Sequence, residues 1–165
     1  MGRRKINDCE RGSEAPQVLY SPLSYGDNLH YEKFADDSVK CIEDEIPFEL
    51  PDGWAWERLS NLASFSGGKT PSTSRSEYWD GDIPWIQSSD LETNCLFKIK
   101  VQKSISEKGL KNSSAKIIPK DSIAVVTRVG VGKLVVMQHE YATSQDFLSL
   151  SNLKSNIEFT AYVLY

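Results

Sequence analysis

A chain of 165 residues with 39% hydrophobic content supports one globular domain with an arm, and hardly two domains. Its net charge of −4 is unevenly spread, because residues 1–50 carry 6 Lys/Arg against 11 Asp/Glu while residues 51–165 carry 13 against 12. Cys9, Cys41 and Cys95 lack CxxC spacing, His30 and His139 stand far apart, and no leader-like or membrane-spanning apolar run is present; zinc, a disulfide framework and a membrane location are not indicated, and a reducing cytoplasm is expected.

Residues 1–45 mix Arg, Asp, Ser, Pro and Gly with weak apolar periodicity and read as an extended or partly disordered arm. A domain is expected over 46–165. It is entered through Ile46-Pro47-Phe48-Glu49-Leu50-Pro51, where prolines hold apolar anchors extended. Leu59, Leu62, Ala63 and Phe65 recur at helical spacing, which predicts a short amphipathic helix over 57–65, ended by Gly67-Gly68. Ile83 to Gln87 reads as a short strand whose Pro84 restricts it to a sheet edge or a strand start. Alternation of Phe97, Ile99 and Val101 with lysines predicts a half-buried strand, and Ser104-Ile105-Ser106-Glu107 has the pattern of a capping box opening a helix to Leu110. Ile117 to Pro119 and Ser122 to Val129 are further strands. Gly130-Val131-Gly132 between two β-branched runs predicts a hairpin with Lys133 to Gln138. Phe147 to Leu150 is a last strand, and Asn156 is placed to cap a helix containing Phe159, Tyr162 and Val163. The expected product is an α+β fold with a mostly antiparallel, barrel-like sheet and peripheral helices, preceded by the extended N-terminal arm.

The chemical motifs are mostly negative. Gly68-Lys69-Thr70 is not a phosphate loop, since Ala63 stands where that loop needs glycine and Pro71 follows at once. Gly130-Val131-Gly132-Lys133 is a turn and not a dinucleotide fingerprint, which requires a helix after it. Every lysine lacks an acidic residue two positions earlier, so the common metal-dependent nuclease pattern is absent; an Asn-Pro-Pro-Tyr-type segment for amino methylation is absent too. No cofactor is expected.

Recognition has positive support. From Lys98 to Lys120, seven lysines face only Glu107, a stripe suited to phosphate or simply to solvent. The segment Gly67 to Leu91 concentrates glycines, hydroxyl side chains, Arg75 and the rings of Tyr78, Trp79 and Trp85. Bases are read by such donors and acceptors, with cations and backbone amides on phosphates. The candidate DNA-binding residues are therefore Lys69, Thr70, Ser72, Ser74, Arg75, Gln87, Ser88, Ser89, Lys103, Lys111, Lys116, Arg128, Lys133 and Gln145. For Tyr78, Trp79 and Trp85, packing at the sheet edge is favoured over base stacking.

The motifs Gly-Lys-Thr-Pro-Ser at 68–72, Tyr78-Trp79-Asp80-Gly81, Ile83-Pro84-Trp85-Ile86, Asp90-Leu91, Ile105 to Leu110, Thr127 to Lys133 and Thr143-Ser144-Gln145-Asp146 follow one another in order. Together they resemble the target recognition domain of the DNA specificity subunit of type I restriction-modification systems, with Ser144 where the family pattern has Asn. The resemblance covers roughly Tyr31 to Tyr165. It implies a non-catalytic reader of one half of a bipartite site in double-stranded DNA, acting with methylation and restriction subunits. It also implies a second recognition domain and long helices, so this chain is expected to be a fragment or a short version of the subunit. Two rival readings are a non-catalytic fragment of a DNA methyltransferase, which would bind S-adenosylmethionine, and a protein-interaction module that has lost DNA contact.

Overall fold

The computed structural model describes residues 29–165 apart from 35 and 93. The chain divides into two compact units, parting between Glu57 and Arg58. Residues 1–28 of the expected arm, with Cys9, lie outside the described residues. In the rest of the first unit, β1 (Tyr31–Lys33) and β2 (Val39–Cys41) form an antiparallel hairpin, with Tyr31 opposite Cys41. Its turn is set by Asp36, whose carboxylate accepts from the backbone N–H of Ser38 at 3.0 Å, and by Asp37 at φ 63°. A bond from the Ser38 hydroxyl, and after it this one from the Ser38 N–H, hold the Asp36 carboxyl below its ordinary pKa.

The second unit is built from two sheets. A four-stranded antiparallel sheet has the order β3 (Ser64–Gly67), β9 (Phe147–Ser151), β6 (Ser122–Val126), β7 (Leu134–Met137). Strands β6 and β7 carry nearly continuous apolar runs because both faces are covered. Ala124, Val126, Val135 and Met137 enter one cluster with Ile86, Leu91, Ile118, Tyr141 and Phe147. Ile123, Leu134, Val136 and Leu150 face the other way, as period-2 alternation requires, and pack with Leu96 and Ala161. Ala161 lies on α3 (Ile157–Leu164), capped as anticipated by Asn156, whose side chain accepts from the Phe159 N–H at 2.9 Å.

The second sheet is three-stranded, in the order β5 (Lys103–Ile105), β4 (Trp79–Ile86), β8 (Ala142–Thr143), antiparallel between β5 and β4 and parallel between β4 and β8. Trp85, Ile105, Ala115 and Ala142 form a third cluster around it. Tyr141, fully buried, bonds through its hydroxyl with that of Ser122 at 3.1 Å, and burial pushes its pKa above the ordinary tyrosine value.

The structure corrects several expectations. No closed barrel forms among the described residues, since the strands divide into separate ladders. Strand β4 is central and not an edge; Pro84 is tolerated because it pairs with Ser104 on one side and lies just before Trp85 and Ile86, where β8 joins. The helix expected over 57–65 shrinks to α1 (Leu59–Leu62), because Ser64 to Gly67 find a ladder partner in Leu148 to Ser151. Gly67 is thus in a strand. Phe97 to Val101 and Ile117 to Pro119 are reduced to single bridges, Ile99 with Leu91 and Ile118 with Tyr141. The cap of α2 (Glu107–Lys111) is Ser106, which accepts from Gly109 N–H at 3.1 Å, while Ser104 belongs to β5.

Candidate nucleic-acid interface

Between β8 and β9 the chain passes from one sheet to the other through Ser144, Gln145 and Asp146. The segment leaving β3 crosses this corner at very short range. The Gly68 N–H donates to the Phe147 carbonyl at 3.4 Å and the Lys69 N–H to the Thr143 carbonyl at 2.9 Å. A Cβ on Gly68 would stand 2.0 Å from both the Ser144 carbonyl oxygen and Thr143 Oγ1, so only glycine allows the crossing. The Ser144 N–H reaches across to the Ile86 carbonyl at 3.0 Å, and Trp85 Nε1 donates to the Lys69 carbonyl at 3.2 Å. The Thr70 hydroxyl donates to the Gln145 carboxamide oxygen. These bonds fix the backbone of residues 68–70 and 143–147 against each other, although the two segments are remote in sequence.

Beside this corner lies an open groove of about 830 Å³, lined by Gly67, Gly68, Lys69, Thr70, Thr127, Arg128, Gln145, Phe147 and Leu148. Two cations and three neutral hydrogen-bonding side chains line it from three stretches of sequence, and its lining contains no carboxylate. Thr127 anchors the far wall, its N–H and hydroxyl both donating to the Asp146 carbonyl, at 2.8 and 3.2 Å. Of the residues singled out in the sequence, the structure brings together Lys69, Thr70, Arg128 and Gln145. Sequence reasoning missed Thr127 and the obligatory Gly68. The glycine pair at 67–68 was a visible signal, but it was read as a helix stop.

Next to the groove, Trp79 and Trp85 meet edge to face with ring centroids 5.0 Å apart. Lys103 lies over both rings, its Nζ 5.9 Å from the first centroid and 5.8 Å from the second. Trp85 and Tyr78 are buried and Trp79 half-buried, in accord with packing as their main role. Trp79 Nε1 also donates to the Ser72 carbonyl at 3.1 Å, which ties down the loop holding the exposed Ser72 and Ser74, whose hydroxyls bond at 2.9 Å. Arg75 lies over the Tyr78 ring at 5.8 Å and within 3.5 Å of Glu77, which Lys108 also approaches at 3.6 Å. The Glu77 carboxyl is held below its ordinary pKa, first by a bond from its own backbone N–H and then by these two cations.

The remaining candidates are not in the groove lining. Gln87 uses its side chain to accept from the Asp90 N–H, while the Asp90 carboxylate accepts from the Gln87 N–H at 3.1 Å; Ser88 and Ser89 lie in the short turn so formed. Lys111 pairs with Glu107 at 3.0 Å on the exposed side of α2. Lys116 is exposed, and Lys133 reaches the Leu91 carbonyl at 3.5 Å.

The fold is of the α+β class seen in solved specificity subunits: the chain superposes on the HsdS subunit from Thermoanaerobacter tengcongensis with a TM-score of 0.57 at 18% identity, over 72% of this chain and 28% of that one. A structure described as showing complex assembly and conformational transition of the type I R-M system gives 0.58 at 20% identity, with the same coverage. The sequence defines the family. Residues 51–165 match the type I restriction modification DNA specificity domain, and the chain belongs to that family. It is similar to the MjaIX specificity subunit of Methanocaldococcus jannaschii, 32% identical over 62% of this chain and 24% of that protein. To the EcoR124I/EcoR124II specificity subunit of Escherichia coli it is 35% identical over 61% of this chain and 23% of that protein. The chain thus spans about a quarter of the length of these relatives.

Proposed function

We propose that this chain binds double-stranded DNA as a target recognition domain, reads one half of a bipartite site, and directs methylation and restriction subunits that hold the chemistry. Family membership supports the reading, and one observation carries it: Lys69, Thr70, Arg128 and Gln145 converge on an open, carboxylate-free groove whose backbone is fixed at the strand corner. Such a surface offers point charges for phosphates and donors and acceptors for base edges, already held in place before a duplex arrives. In this reading residues 46–165 are the recognition domain, with the compact body from Arg58 onward, and the chain catalyses nothing itself. It works in the cytoplasm; among the described residues no helix is long and apolar enough to cross a membrane.

The test is electrophoretic mobility of a random-sequence duplex at low and raised salt, with the chain alone and with its methylation partner. The chain alone should bind weakly, with affinity falling steeply as salt rises, and the partner should convert this to binding of selected sequences. Unchanged mobility at low salt would sink the reading in favour of a protein-interaction module, and S-adenosylmethionine binding by the chain alone would favour a methyltransferase fragment.

A further inference from the structure

Beyond the groove, the turn that joins β6 to β7 presents two valines to solvent. Val129 and Val131 are 67% and 70% exposed, among the most exposed of the large hydrophobic side chains described. Elsewhere on these two strands the apolar side chains are buried or nearly so, hence the exposure is confined to the tip. The turn is not slack. Gly130 and Gly132 take φ of 83° and 93°, the Val126 N–H closes the ladder on the Lys133 carbonyl at 2.8 Å, and Thr127 ties the base to Asp146. Stiff apolar tips on a soluble surface lose nothing by being covered and gain about 0.8 kcal/mol for each methyl removed from water.

What covers them follows from their neighbours. Arg128, directly before Val129, and Thr127 line the carboxylate-free groove with Lys69 and Gln145. A polyanion held in that groove therefore meets the turn. A two-stranded ribbon has the width of the major groove of a duplex, about 12 Å, and exceeds the minor groove of about 6 Å. On the major-groove floor the apolar feature is the thymine 5-methyl group, the natural complement of a valine. Resting on the reading that the chain binds DNA, we propose that the β6–β7 hairpin enters the major groove and that Val129 and Val131 are specificity-determining residues, recognising thymine through its 5-methyl group while Arg128 positions the turn.

The experiment is a competition at limiting protein between two versions of one random-sequence duplex pool, one made with thymine and one with uracil. Pairing and backbone charge are the same in both, and the methyl group is the difference. The full chain with its methylation partner should favour the thymine pool by about four-fold for one methyl contact, the factor equivalent to about 0.8 kcal/mol. The double variant Val129→Ser, Val131→Ser should hold both pools equally while keeping the salt dependence of the parent. Both side chains are exposed, so the variant should fold, and an unchanged denaturation midpoint checks that it has. Equal binding of the two pools by the parent chain, or an unchanged preference in the variant, overturns the inference and leaves DNA binding standing. No binding of either pool at low salt overturns both.

Discussion

The groove at the strand corner and the lysine stripe from Lys98 to Lys120 are the two cationic regions of the second unit, and they differ in what their charges already do. In the stripe three of the seven lysines are engaged locally: Lys103 lies over two indoles, Lys108 is near Glu77, and Lys111 pairs with Glu107. In the groove Lys69 and Arg128 come from separate stretches of the sequence and line a surface free of acidic residues. A count of lysines along the sequence therefore measures charge density, while the capacity to receive an anion depends on which charges the fold leaves facing one another. Surface pairs such as Lys111–Glu107 are worth little in themselves, but an incoming phosphate must compete with them.

The comparison can be broken most severely at Gly68. Gly68→Ala places a methyl group against two backbone oxygens and Thr143 Oγ1, none of them at the end of a flexible side chain, so a loss of about 3 kcal/mol is expected by urea denaturation. A variant as stable as the parent would show that the corner is not close-packed. Next in size is Arg128→Ala, expected to weaken DNA binding by about 1–3 kcal/mol through loss of the charged hydrogen bond that positions the turn on the duplex, read by mobility at low salt. Against it stands the triple variant Lys103→Ala, Lys111→Ala, Lys116→Ala, whose salt slope should change by well under the roughly three units that full phosphate engagement would give. A full three-unit change would restore the stripe as the main contact surface. Smaller still, Lys103→Gln should lower stability by about 0.5–1 kcal/mol through loss of its place over Trp79 and Trp85, and a thermal melt of the single variant measures it. The smallest effect is expected from Glu77→Gln, which releases Arg75 and Lys108. DNA affinity at low salt should rise slightly, and a fall would mean that Glu77 orients these cations and does not compete with phosphate for them.

The same contrast explains what could be read from the residues. The β6–β7 hairpin was legible because two β-branched runs flank Gly130-Val131-Gly132, and the α3 cap because Asn156 precedes an apolar helical pattern. Both are signals carried within one short window. Strand β4 was misplaced at an edge because Pro84 forbids a ladder bond only at its own nitrogen, and no local pattern says where a two-residue partner such as β8 will join. Phe65 was assigned to a helix because its spacing from Leu59 and Leu62 fits one, whereas its partner Leu150 lies far along the chain. The groove was half legible. Residue type selected Lys69, Thr70, Arg128 and Gln145, but the same reasoning also selected Gln87, whose side chain caps its own turn.

The bond from Thr70 to Gln145 spans 75 residues. Closing so long a loop is entropically costly and slows folding, so the groove should belong to the last-assembled part of the unit. In the native ensemble this has a spectroscopic consequence. The Lys69 amide, bonded to the Thr143 carbonyl, can exchange with solvent only when two distant segments separate, and such an opening erases the whole surface at once. Any duplex that occupies the groove adds its binding free energy to the cost of that opening. Slowed hydrogen exchange at Lys69, far in sequence from the hairpin tip, is thus a direct gauge of occupancy.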